Sequence, residues 1–205
     1  MLTDLKITEY LEKAAEGTAV PGGGSVAALN AALAAGLSEM VANLTIGKKG
    51  YETSEGDMRD ILHKATALRA KLTAAIDRDA DAYSKVLAAF KMPKETDAAK
   101  QLRSRKIQEA FKQAALVPLE TARDAAEVMD LAGKAIKSGN KNMVTDGAVA
   151  VMNARTAVLA ALYNVKINLT SIRDDEFVKI LTREVNELEQ QARDKERDML
   201  SYVSV

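Results

Sequence analysis

Between Ser25 and Ile46 the chain offers almost no polar face. Val26, Leu29, Leu33, Leu37, Met40, Val41 and Leu44 recur at helical spacing, and alanines fill most of the gaps. A helix that is apolar on nearly every side has to be covered by protein or lipid, so it cannot lie on a wet surface. Asn30, Glu39 and Asn43 argue against lipid, because a carboxylate within a bilayer span is costly. The segment therefore reads as the central helix of an all-α protein, and Ala31, Ala32, Ala34, Ala35 and Gly36 let neighbouring helices approach it closely. Its all-round apolarity also predicts that two copies of the chain pair.

Val20-Pro21-Gly22-Gly23-Gly24-Ser25 leads into this helix. Three consecutive glycines lose backbone entropy on ordering and bring no side-chain contacts, which suits a place where backbone must come very close to something or adopt positive φ. Ser25 fits as an N-cap, and the free amides of the first turn, backed by the helix dipole, suit an anionic or carbonyl-bearing ligand. The other reading is a tight loop ahead of a close-packed helix. No apolar strand precedes the glycines and no Gly-Lys-[Ser/Thr] follows them, so neither a P-loop nor a dinucleotide fingerprint is present.

The remaining segments also read as helices. Thr3 or Asp4 caps a short one carrying Leu5, Ile7, Leu11 and Ala14, with Gly17 ending it. Gly47-Lys48-Lys49-Gly50-Tyr51 closes the central helix with glycine and lysine, ordinary C-terminal chemistry that leaves both cations available for a further role. From about Ser54 to Phe90 an apolar stripe runs through Ile61, Ala65, Leu68, Leu72, Ile76, Tyr83, Val86 and Phe90. Asp79 falls within it. At about 100° per residue Leu72, Tyr83, Val86 and Phe90 lie within roughly 40° of Asp79, while Asp77 and Asp81 point the other way and read as solvated charge. A carboxylate on a core-facing stripe is expensive unless it is hydrogen-bonded or serves a site. It is therefore either a satisfied structural group or part of the chemistry.

Met92-Pro93 breaks this helix, and Thr96 or Asp97 starts the next, in which Pro118 is expected to kink or divide the run. Ser138-Gly139-Asn140 ends it, and Thr145 is the candidate N-cap of a further helix. On that helix Asp146, Asn153 and Asn164 superimpose to about 20° in projection, with Asn168 roughly 40° away, so a carboxylate and three amides line one edge, either as a groove wall or as hydrated surface. Asp174 caps a last, amphipathic helix. With no strand pattern, repeat or long linker, residues 1–205 read as one domain, a multihelical bundle of long and short helices.

Composition narrows the function. Basic and acidic residues balance at 29 each, and aromatics make up 4% of the chain, so neither a nucleic acid nor an anionic membrane has a matching surface. Without cysteine, and with His63 as the sole histidine, no metal site is assigned. The N-terminal residues lack a basic region followed by an apolar core, which predicts a cytoplasmic protein.

Taken together, Pro21-Gly22-Gly23-Gly24-Ser25, Met40 to Tyr51, Val117-Pro118-Leu119, Gly139-Asn140 and Asn164 to Leu169 resemble the cyclodeaminase/cyclohydrolase family of folate enzymes, in the right order and over nearly the whole chain. The resemblance implies an all-helical tight homodimer acting on a folate substrate, with no bound cofactor and no metal. Because the chain has no room for a formiminotransferase domain, it looks like the stand-alone type. The resemblance assigns the acid/base to Asp79, matches the glycine loop to Gly22, Gly23 and Gly24, and matches the Gly-Lys-Lys turn to Gly47, Lys48 and Lys49. Ser25, Tyr83, Asp146, Asn164 and Asn168 complete the expected substrate contacts. Thr145 and Gly50 depart from the family pattern, the second by removing a third basic residue. The first expectation for function is a methenyltetrahydrofolate cyclohydrolase. The alternatives are a formiminotetrahydrofolate cyclodeaminase and a non-catalytic folate-binding helical dimer.

Overall fold

The structure, a computed structural model, describes residues 1–204. Six helices follow in order: α1 (Ile7–Ala15), α2 (Gly23–Asn43), α3 (Glu55–Phe90), α4 (Asp97–Ser138), α5 (Val144–Leu169) and α6 (Asp175–Leu200). Short 3-10 turns at Leu2–Asp4, Glu52–Ser54 and Lys141–Met143 link or precede them, and no strand occurs among the described residues.

Helix α2 packs against α3, α4 and α5, while α6 lies outside, on α4 and α5. Ala27, Ala28, Ala31, Ala34, Ala35 and Ala42 of α2 are fully buried, so the long neighbours approach across methyl groups. The fourth side of α2 stays uncovered: Leu33 is 53% exposed, in line with Val26 and Leu44. By length and composition alone Gly23–Asn43 and Lys141–Leu169 could each cross a membrane, but here the two helices pack on each other in the bundle.

Several helix ends differ from the sequence expectation. Gly22, not Ser25, is the N-cap of α2, and Met143, not Thr145, precedes α5. Lys6, not Thr3 or Asp4, precedes α1, which ends at Ala15 with Glu16 as its C-cap. Of its residues only Tyr10 is buried, and Ile7 is 81% exposed. Asp77 is not solvated charge. Its carboxylate accepts from the Leu2 amide and the Thr3 hydroxyl, each at 2.6 Å, and ties the N-terminal turn to α3. Thr96 and Asp174 cap α4 and α6 as expected, accepting from Ala99 and Phe177 at 3.2 and 3.1 Å.

At the far end of α2 the Asn140 amide donates to Thr45 Oγ1 at 2.9 Å and its side chain to the Leu44 carbonyl at 3.1 Å. This clasp sets the start of α5 beside the end of α2, so the two helices run antiparallel. Pro118 does not divide α4, which continues through it. A proline nitrogen cannot donate to the carbonyl one turn back, here Ala114. Asn168 of α5 takes that place, its Nδ2 donating to the Ala114 carbonyl and to the Asn164 carbonyl, both at 2.8 Å.

Replacing Asn168 by alanine leaves the buried Ala114 carbonyl without a donor, and the expected loss is about 1–3 kcal/mol of unfolding free energy. Urea titration of Asn168→Ala against wild type reads it. An unchanged midpoint would mean that the carbonyl gains nothing from the side chain.

Candidate active site at the start of the second helix

The first turn of α2 lies on the middle of α3. A Cβ at Gly24 would overlap the Asp79 carboxyl group, 2.6 Å from its Oδ2, and one at Gly23 would come within 3.0 Å of Asn164 Nδ2. The glycines therefore serve close approach rather than unusual backbone, since the residues with positive φ are Gly47 and Gly50. Ser25 sits in the first turn, fully buried. Its hydroxyl donates to the Ile76 carbonyl at 2.8 Å and lies 3.3 Å from Asp79 Oδ2, while its backbone amide also donates to that carboxyl group.

Two influences on Asp79 oppose each other. Burial raises its pKa above the ordinary carboxylate value, and the two Ser25 donors lower it; burial wins, so the group stays protonated to higher pH than a free aspartate. No lysine contributes within one chain.

Asp79 opens onto a cavity of about 410 Å³. Gly22, Tyr83, Asn164 and Asn168 line it, together with Phe111 of α4. Tyr83 is 39% exposed and forms part of the wall. Because both hydrogens of the Asn168 amide go to backbone carbonyls, its oxygen is the atom left to accept. Asn164 spends one hydrogen on the Ala160 carbonyl at 2.9 Å and keeps a second donor and an acceptor. The cavity thus offers a carboxyl group able to give or take a proton, beside amides that match a heterocycle carrying both N–H and C=O groups.

The structure brings together Asp79, Gly22, Gly23, Gly24, Ser25, Tyr83, Asn164 and Asn168. It does not bring Lys48, Lys49 or Asp146 to them. The lysines follow the opposite end of α2, about 30 Å away along a helix of 21 residues, and Asp146, in the first turn of α5, lies about five turns, roughly 27 Å, from Asn164. Sequence reasoning missed Tyr10, whose phenol is buried without a hydrogen-bond partner and has its pKa raised by burial and then by the charges of Asp79 and Asp77. It also missed Ala19, Val20, Thr170 and Ser171 at the cavity rim. Ser171 falls about 20° from Asn164 in projection and a longer reading of that edge would have reached it, whereas Thr170, the C-cap of α5, falls about 120° away and only the fold brings it to the rim.

Residues 6–187 match the family model described as formiminotransferase-cyclodeaminase. A methenyltetrahydrofolate cyclohydrolase of Methylorubrum extorquens is 40% identical over 182 residues, spanning 89% of this chain and 88% of that one. The rat formimidoyltransferase-cyclodeaminase is 33% identical over 94% of this chain, which spans 36% of that longer protein. Among solved structures, the formiminotetrahydrofolate cyclodeaminase of Thermotoga maritima superimposes with a TM-score of 0.89 at 31% identity, covering 99% of this chain and 98% of that one. With this fold, this extent of match and a glycine turn set against a half-buried aspartate, the chain belongs to the formiminotransferase-cyclodeaminase family of folate-processing enzymes.

Proposed function

We propose that the chain is a formiminotetrahydrofolate cyclodeaminase in which Asp79 moves the protons, and that it works as a homodimer. The observation that carries the chemistry is the half-buried carboxyl group of raised pKa, held by Ser25 at the mouth of an amide-lined cavity. Ring closure forms a bond between the second folate nitrogen and the formimino carbon, and that nitrogen loses its proton to the Asp79 carboxylate. The carboxylic acid then returns the proton to the amino group on the same carbon. The carbon–nitrogen bond breaks, ammonia leaves, and the one-carbon bridge keeps the positive charge of a methenyl amidinium. An anionic Asp79 offsets that charge as it is delocalised over the ring. The folate is the substrate throughout, with no bound cofactor, and Asn164 and Asn168 face its pterin ring.

The family model and the Thermotoga maritima cyclodeaminase, matched end to end, support this direction. They shift the order of preference from the sequence expectation, which put the cyclohydrolase first. The cyclohydrolase remains the second reading because of the 40% identity to the Methylorubrum extorquens enzyme. In that reaction water adds to the methenyl carbon, Asp79 takes the water proton, and the proton returns to the departing ring nitrogen.

Purified protein is incubated separately with formimino- and methenyl-tetrahydrofolate while methenyl absorbance and ammonia are followed. Methenyl formation with ammonia release is expected; consumption of the methenyl species alone would move the assignment to the cyclohydrolase, and no turnover of either would leave a folate-binding protein. Asp79→Asn is expected to lower kcat by about 10²–10⁴-fold with ligand binding retained. The acid limb of wild-type kcat/KM should lie above the usual carboxylate range, because the base must ionise.

The stability effect has the opposite sign. A raised pKa favours the fold below the unfolded carboxylate value, and that contribution is lost as pH rises through the folded one. Asp79→Asn should therefore unfold no more easily than wild type at neutral pH, with its relative advantage shrinking in acid, as thermal melts across pH would read. Gly24→Ala pushes a methyl group into the Asp79 carboxyl group and is expected to cost about a hundredfold in kcat/KM with helical circular dichroism preserved. Full activity in that variant would show that Asp79 need not hold its place.

A further inference from the structure

Tyr10 is the one residue of α1 that is buried, and its hydroxyl is sealed from water with no hydrogen-bond partner among the described residues. A polar group so placed is costly, and none of the proton transfers above passes through it. Its surroundings set it behind the candidate active site. It shares a buried cluster with Leu2, Ala28, Ala75 and Ile76, packed against Val20 and Ala80, and the last two also line the cavity beside Asp79. At about 100° per residue the α3 members of that cluster span an arc from Ala75 through Ile76 to Ala80. Asp79 falls inside this arc, one turn on from Ala75, and Asp77 falls outside it.

The two carboxylates are not equally supplied with donors. Asp77 already accepts from the Leu2 amide and the Thr3 hydroxyl at 2.6 Å each. Asp79 has Ser25 alone among the described residues, and the Ser25 hydroxyl, 2.8 Å from the Ile76 carbonyl and 3.3 Å from Asp79 Oδ2, has a single hydrogen for the two. That hydrogen goes to the nearer acceptor. An ionised Asp79, with room for about four hydrogen bonds, is thus left with one firm donor from its own chain, the Ser25 amide. No other charge faces it. Besides Asp79 and Tyr10, the one titratable group of the cluster and the cavity lining is Tyr83, at the wall, and α2, α4 and α5 bring none. Arg78, next in α3, pairs with Glu120 of α4, while Lys6 and Lys13 pair with Glu9 and Glu16 at the surface.

We propose that Tyr10 is a positioning residue for the proton transfer, its hydroxyl held behind Asp79 as the donor that the carboxylate takes up once it has lost its proton. The inference rests on the reading of Asp79 as acid and base. While Asp79 is neutral it has little to draw the phenol, and the two make no hydrogen bond. Once it is ionised, the phenol donates to the carboxylate from behind while Ser25 holds it from α2, so the group is fixed from two sides with its remaining lone pairs toward the substrate. No proton leaves the phenol. Burial, and then the charges of Asp79 and Asp77, raise its pKa, so it gives a hydrogen bond and keeps its hydrogen. A charge-assisted bond of this kind offsets part of what burial costs the charged form of Asp79. Helix α1 thereby acts on the site although none of its residues lines the cavity.

Tyr10→Phe removes the hydroxyl and keeps the ring. With aspartate labelled at the side-chain carboxyl carbon and no folate present, the Asp79 resonance, identified by its loss in Asp79→Asn, is followed against pH in wild type and in Tyr10→Phe. The Asp79 pKa is expected to rise by about one pH unit in the variant, a tenfold loss of the ionised form below it, and the acid limb of kcat/KM should rise with it. Thermal melts give a second readout. A donor to the carboxylate lowers the folded pKa, so what Tyr10 contributes is complete above the variant's pKa and is lost as pH falls through that of wild type. The melting temperature of Tyr10→Phe should therefore drop behind wild type only as pH rises through this range. A titration that stays in place or moves down, or a melting difference that is the same at every pH, would overturn the proposal and leave Tyr10 a packing residue. Turnover retained by Asp79→Asn would instead overturn the acid/base reading, and this role with it, whatever the titration shows.

Discussion

The first turn of α2 lies against the Asp79 carboxyl group with no room for a side chain between them. This contact fixes much else. It needs glycine at position 24, it puts the amide and hydroxyl of Ser25 within reach of the carboxylate, and next to it Gly23 leaves the same room for Asn164. A carboxyl group so placed feels two opposed influences, a helix N-terminus that favours its charge and a dry setting that disfavours it. The dry setting prevails, which leaves a group that exchanges a proton more readily near neutrality than a surface aspartate would.

Pro118 and Asn168 show how the scaffold serves the site. The proline withholds a backbone donor from the Ala114 carbonyl, and Asn168 answers with its own amide hydrogens. The side chain is thereby pinned with its oxygen left over, so a missing hydrogen bond in α4 sets the polarity of the cavity wall on α5. The proline was expected to bend or split its helix. Its effect is felt mainly in the neighbour that satisfies the freed carbonyl.

Much of the bundle was legible before any coordinates. The periodicity of α3 and α6, the break at Pro93 and the stop at Gly139 all reflect short-range physics, in which the i, i+3, i+4 repeat, a missing donor or a missing side chain acts on its own helix. Asp79 was legible for the same reason, as a charge within an apolar stripe. Ser25 was misplaced by one step of argument: a serine after glycines looks like a cap, but its hydroxyl goes to the Ile76 carbonyl of another helix. Asp77 was misread likewise, because its partners Leu2 and Thr3 lie some 75 positions away in the chain.

The sequence by itself determined the helices, their apolar faces and the one carboxylate worth following, since each depends on residues within a few turns of one another. Only the tertiary structure decided which candidates meet. Projection down a helix axis records angle and discards height, so Asp146 and Asn164 share an edge on paper while standing at opposite ends of α5. Lys48 and Asp79 are parted in the same way by the length of α2, a distance that only packed helices of known direction reveal.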